Sequence, residues 1–235
     1  MKTCQKAGGI AALYMALAYL AAMPYFLLLV NYPSVSDPIQ KVILLRDNYA
    51  SMFAMHVIVF EFVALGLVVL GLALYQRLKV GAPAIAQVGT VLGLIWACLL
   101  LASSMVFNYG MGAVVGLYAT DPTQAVWAWQ AIEATAQGLG GAGGELLGGL
   151  WILLVSWAGL RTQALPKALN WLGLVVAGAG LISNVPALRD ASIVFGLIQI
   201  VWLIWLGIVL LRSNQGKAIQ ESGKFAPHVE ARGKR

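Results

Sequence analysis

Two glutamates stand where acids are costly. Glu61 opens a fifteen-residue apolar run that Arg77 closes (EFVALGLVVLGLALYQR), and Glu145 opens a second that Arg161 closes (ELLGGLWILLVSWAGLR). Sixteen helical steps cover roughly 24 Å, so an arginine at one face of a ~30 Å hydrocarbon layer sets each acid at matching depth in its far third. Carboxylates there are expensive enough to make a functional role the default expectation. Two that approach each other in low dielectric cannot both ionise cheaply, so they would share a proton or hold a cation. If they stay apart, each is simply protonated and bonded to a nearby Ser, Trp or backbone group. His56, Asn108 and Gln199 are the other polar residues that can complete such a ligand or proton site, or else join helices to one another.

Metal and nucleophile chemistry have thinner support. His56 shares a helix face with Met52, four residues earlier, and with Met55, Met105 and Met111 nearby this permits a copper(I) site; methionine filler and a hydrogen-bonded histidine are the plainer reading. Cys4 and Cys98 fall on different parts of the chain and form no CxxC. No GxSxG, HExxH, Walker or dinucleotide fingerprint occurs in a suitable context. The expectation is therefore a protein without catalytic residues or cofactor, with lipid chemistry by a glutamate base as the third alternative.

The elements that hold these residues must be membrane helices. Of 235 residues 60% are hydrophobic and only 10% charged, with a mean hydropathy of +0.83, far from the soluble norm of about 25% charged. Six apolar segments emerge: Ala7–Val30, Tyr49–Tyr75, Ala84–Phe107, Leu139–Leu160, Ala168–Val185 and Ala191–Leu211. The first exceeds a signal h-region and is expected to be retained. Residues 1–212 are read as one all-α, six-transmembrane-helix bundle, and 213–235 as a disordered basic tail. Placing the N-terminus, residues 76–83, residues 161–167 and the tail on one side gathers twelve of the fifteen Lys and Arg, leaving Lys41, Arg46 and Arg189 opposite. Both termini are then cytoplasmic. The +6 charge follows from this topology, and its scattered residues do not make a nucleic-acid surface.

Between the spans, Asp37-Pro38 is a cap for a short outer interfacial helix over Ile39 to Arg46. Residues 121–138, with Trp127, Trp129, Glu133 and Gln137, suit a helix grazing the outer interface with tryptophan anchors. Around Glu145 the chain reads GLGGAGGELLGG, with Gly140, Gly144 and Gly148 on one stripe and Gly141, Glu145 and Gly149 on the next. Such stripes let a neighbouring helix or a second membrane protein pack closely. Alternatively, glycine at about 1 kcal/mol per position leaves the helix broken, as in transporters.

After each arginine comes a proline and a glycine-dotted helix, a weak repeat that pairs spans 2–3 with spans 4–5 as duplicated hairpins. The segment from Glu145 to Arg161, the ALPKALNWLG loop and the closing QIVWLIWLGIVLLR resemble an uncharacterised bacterial family of six-helix membrane proteins of unknown function, most firmly over residues 145–212. That resemblance implies a bacterial inner-membrane location and no particular reaction. The combined expectation is a multi-pass, non-enzymatic protein in the lipid bilayer that binds a membrane partner, a second copy or a small ligand. A proton-coupled or cation-handling transporter using Glu61 and Glu145 is the alternative.

Overall fold

A computed structural model describes the backbone of residues 2–140 and 145–224, and side chains as far as residue 212. All its regular elements are helices. Helix α1 (Lys2–Pro24) passes into a π turn, Tyr25–Leu29, closed by the Val30 N–H on the Tyr25 carbonyl at 2.9 Å. Pro24 has no N–H to give the preceding turn, which accounts for the widening. Asn31, in the left-handed region at φ 53°, then turns the chain out of the helix.

Asp37 caps α2 (Pro38–Asp47) by accepting from the N–H groups of Ile39 and Gln40 at 2.8 and 3.1 Å. The chain then climbs through α3 (Tyr49–His56), a second π turn (Val57–Glu61) and α4 (Phe62–Leu78), which together form one rod. Next come α5 (Pro83–Tyr118), α6 (Pro122–Gly140), α7 (Leu146–Thr162), α8 (Lys167–Ile182) and α9 (Ala191–Lys224). Residues 225–235 of the expected tail lie outside the described residues, as do 141–144.

Six helices close a ring in which α1 packs on α4, α4 on α5, α5 on α7, α7 on α8, α8 on α9, and α9 on α1. Its inner half is a solid core around Met15, Leu67, Leu70, Trp151, Trp202 and Leu206, all nearly inaccessible. At the end that carries the basic loops, the Arg77 Nε–H donates to the Ala164 carbonyl at 2.9 Å, tying the α4–α5 loop to the α7–α8 loop. The ring's outside is apolar and bare, with Leu17, Leu28, Trp171 and Ile193 largely exposed. An apolar exterior over backbone that satisfies itself in helices is the arrangement lipid requires.

Four stretches are long and apolar enough to cross a membrane: Thr3–Leu29, Tyr49–Leu78, Pro83–Tyr118 and Ala191–Arg212. Two shorter apolar helices, Leu146–Thr162 and Lys167–Ile182, complete the ring. The expected fourth span differs most, because Leu139 and Gly140 belong to α6 and continuous helix resumes only at Leu146.

With 36 residues, α5 is about 54 Å long and overshoots a ~30 Å hydrocarbon layer. Its C-terminal half supports a second core with α2, α3 and α6, centred on Leu45, Met52, Met111, Val114 and Trp129. The segment 121–138 packs one face on this core and leaves the other exposed. It folds back along α5, with the Ser103 hydroxyl donating to the Ala136 carbonyl at 2.7 Å and Ile132 filling the space beside Gly110. Trp127 points outward at 70% exposure, but Trp129 is buried and meets Phe107 edge-on. Likewise α2 buries Val42 and Leu45 in this cap and keeps its opposite face exposed.

Candidate functional site

Glu145 is held by its backbone, and its side chain has no hydrogen-bond partner among the described residues. Its φ of −87° and ψ of 53° are non-helical, its N–H donates to the Ser183 hydroxyl at 3.0 Å, and its carbonyl accepts the Gly149 N–H at 2.9 Å. Ser183 passes the link on by donating to the Gly180 carbonyl at 2.7 Å. Gly149 lets α8 come this close, since a Cβ there would stand 3.1 Å from both the Ala177 carbonyl oxygen and the Leu181 nitrogen. The carboxylate makes no cap bond to α7. It faces a cavity of about 350 Å³ in the upper half of the ring.

Every irregularity in the ring helices borders this space. Phe26 and Leu27 come from the first π turn, Val59 and Phe60 from the second, and Gly140 and Glu145 from the facing ends of α6 and α7. π turns leave carbonyls without their usual partners, and side chains supply them here: the Tyr14 hydroxyl donates to the Ile58 carbonyl at 2.7 Å, and Ser104 reaches the His56 carbonyl at 3.4 Å. Regular helices pack too closely to leave a void of this size, so the interruptions are what opens it. Leu27, half exposed, stands at the rim.

Gln199 also lines the cavity, 3% exposed and with an Nε2 that finds no partner among the described residues. Tyr19 lies within electrostatic reach of Glu145 on the same wall. The remaining surface is apolar and aromatic, and it includes Trp96 and Phe195.

The other candidates occupy the seam between the α3–α4 rod and α5. Glu61 ends the second π turn and accepts a hydrogen bond from Ser104 Oγ at 3.1 Å. It is absent from the cavity lining, although its neighbours Val59 and Phe60 are there. His56 is buried, its Nδ1–H donating to the Met52 carbonyl at 2.9 Å and its ring stacked on Phe107 and Phe60 with centroids 3.8 and 5.3 Å away. Asn108 donates to the Phe53 carbonyl at 3.4 Å, and its Oδ1 finds no partner among the described residues. Among the described residues no group of three or more His, Cys, Asp or Glu is arranged to hold a metal ion.

Helix α5 gives these positions a common scale. Ser104, Asn108 and Gly112 meet His56, Phe53 and Tyr49 on one side; Ser103, Trp96 and Gly93 meet Gly140, Gly148 and Trp151 on the other. Along these rungs α6 and α7 follow one antiparallel line down α5, with no shift of register across their junction. By the same count Glu61 and Glu145 fall within about one helical turn of each other in height. Glu61 is bonded to Ser104, while Glu145 borders the cavity that Glu61 does not line.

Gly140, Gly148 and Gly149 all pack within the chain, against Ser103, against Trp96 and Phe195, and against the α8 backbone respectively. Gly141 and Gly144 lie outside the described residues.

Sequence reasoning missed a polar cluster in the outer cap. Lys41 Nζ donates to both Glu133 oxygens at 2.8 and 3.1 Å, Tyr32 donates to the first at 2.8 Å, and Gln137 Nε2 joins it at 3.1 Å. Trp129 Nε1–H donates to the Tyr32 oxygen at 3.2 Å. Burial and the adjacent Glu133 charge hold the Tyr32 phenol well above its ordinary pKa. The Glu133 carboxylate takes bonds from three side chains, so the cluster clamps α2 to α6. No family model, curated protein or solved structure matches this chain.

Proposed function

We propose that the protein is a bacterial inner-membrane protein with six crossings and cytoplasmic termini, and that it binds a small amphiphilic ligand in the cavity at Glu145. The observation that carries this reading is the convergence of two π turns and the α6–α7 junction on a cavity with a carboxylate unpartnered among the described residues. A void of about 350 Å³ falls in the size range of small-molecule sites, which are mostly apolar with a few placed polar groups. The chain's own helices take up Gly140, Gly148 and Gly149, which favours an internal ligand over a partner docked on that stripe.

Gly196 lines the cavity, and a Cβ there would meet nothing within 4 Å, so leucine can grow into the space without a clash. Solvent extraction of purified wild-type protein, followed by mass spectrometry, is expected to recover a small molecule that Gly196→Leu protein of equal thermal stability lacks. Equal recoveries would refute a cavity ligand.

A second reading, proton-coupled or cation transport, is favoured by one observation, the non-helical backbone of Glu145 between two helices that share a line. Broken spans of this kind place solute sites near the middle of transporters. Reconstituted vesicles would then show a pH-dependent flux that Glu145→Gln abolishes.

A further inference from the structure

We propose that the cavity is a cage for an organic cation, a hydrophobic amine or quaternary ammonium whose charge is met by Glu145 and whose hydrocarbon is met by aromatic rings; this rests on the ligand-binding reading above. Tyr19, Phe26, Phe60, Trp96 and Phe195 are the aromatic residues that line the cavity of about 350 Å³. The face of an aromatic ring attracts a positive charge within about 6 Å, and desolvation strengthens that attraction. Most of the cavity lining is apolar, and a low-dielectric wall strengthens the attraction.

The charge balance of the lining selects the sign. Among the described residues that border the cavity, Glu145 is the single formally charged group, and no Lys, Arg or His is present to receive an anion. On this proposal an organic cation, in place of a proton, matches a half-buried carboxylate that has no cation of the described chain beside it.

The donor set excludes a bare metal ion. Ca²⁺ takes six to eight oxygen ligands and Mg²⁺ a near-ideal octahedron. Beyond the carboxylate, the cavity offers only the Gln199 carboxamide and the Tyr19 phenol among hydrocarbon. An alkylammonium needs no such shell, because apolar walls solvate its carbon and one carboxylate offsets its charge. The Gln199 carboxamide, with its Nε2 unpartnered, can turn its oxygen toward an ammonium N–H. Leu27 at the rim opens the site toward the lipid side of the ring, the phase in which hydrophobic amines accumulate.

The test compares two probes of one shape, benzyltrimethylammonium and its uncharged carbon isostere 2,2-dimethylpropylbenzene, on the full chain in lipid nanodiscs after subtraction of empty nanodiscs. The expected result is that the cation binds about ten-fold or more tightly than the isostere. Glu145→Gln removes that preference, Glu145→Asp keeps part of it, and Gly196→Leu blocks both probes. Equal binding of the two probes, or a preference that survives Glu145→Gln, overturns the cation cage while leaving a cavity ligand in place. Cation binding that persists in Gly196→Leu puts the probe elsewhere and also overturns it. If neither probe binds, the cage is refuted, and the extraction experiment alone then decides the ligand reading.

Discussion

Glu145 was legible because an acid inside an apolar run has an energetic cost that sequence displays without any contact map. The rings around it were not, since Phe26, Phe60 and Trp96 in apolar helices look the same whether they fill a core or face a void. The Tyr32 cluster was hidden for another reason: its members come from three separate segments, and only the fold-back of α6 brings Glu133 to Lys41. That cluster carries a pH prediction. A tyrosine whose folded pKa lies above its ordinary 10.0 binds its proton more tightly in the folded state. Stability from this source is complete below pH 10 and falls as pH rises through the folded value. Thermal melts of the outer cap, followed by tryptophan fluorescence, should decline above about pH 10 in wild type and less steeply in Tyr32→Phe. At pH 7, Glu133→Gln should cost about 1–3 kcal/mol, because it leaves the Lys41 ammonium in a half-buried site without its counter-charge. An unchanged melt in Glu133→Gln would mean that the cluster does not clamp the cap.

At the level of elements, hydropathy located the apolar helices well and their continuity poorly. Glu61 and Glu145 open look-alike sequences, yet Glu61 lies inside an unbroken rod and Glu145 stands before a helix start. Five of the twelve residues from 138 to 149 separate the two cases by composition, since Gly138, Gly140, Gly141, Gly143 and Gly144 all precede Glu145 and nothing similar precedes Glu61. For the helix at 121–138, sequence left open which tryptophan faces the protein, because only the excess length of α5 provides a partner that buries Trp129 and leaves Trp127 exposed. The close approach of α7 and α8 gives the element-scale prediction. Gly149→Ala must push apart two backbones already 3.1 Å from the added carbon, at about 1–3 kcal/mol. Gly178→Ala, on α8 with open space around it, should instead be neutral or stabilising by up to about 1 kcal/mol. Equal thermal shifts in the two variants would show that the crossing is not tight.

For the whole molecule, ring and cap divide the labour. The inner half of the ring is filled, the upper half holds the cavity, and the cap ties α2, α3 and α6 to the projecting end of α5. The basic loops collect at the end where Arg77 meets Ala164, so the positive-inside rule predicts that this end faces the cytoplasm. Helices α7 and α8, at 17 and 16 residues, reach only about 25 Å, so the hydrocarbon layer must thin beside them or the 183–190 segment must lie within its outer edge. Single cysteines can decide both points in a chain with Cys4→Ser and Cys98→Ala. Val80→Cys lies in the exposed α4–α5 loop, while Trp127→Cys and Asp190→Cys lie on exposed parts of α6 and the α8–α9 turn. With intact cells, a membrane-impermeant maleimide should label Trp127→Cys and Asp190→Cys but reach Val80→Cys only after permeabilisation. Labelling of Val80→Cys from outside would invert the orientation. Protection of Asp190→Cys while Trp127→Cys reacts would leave α7 and α8 short of the outer face, and the six-crossing arrangement would then be wrong.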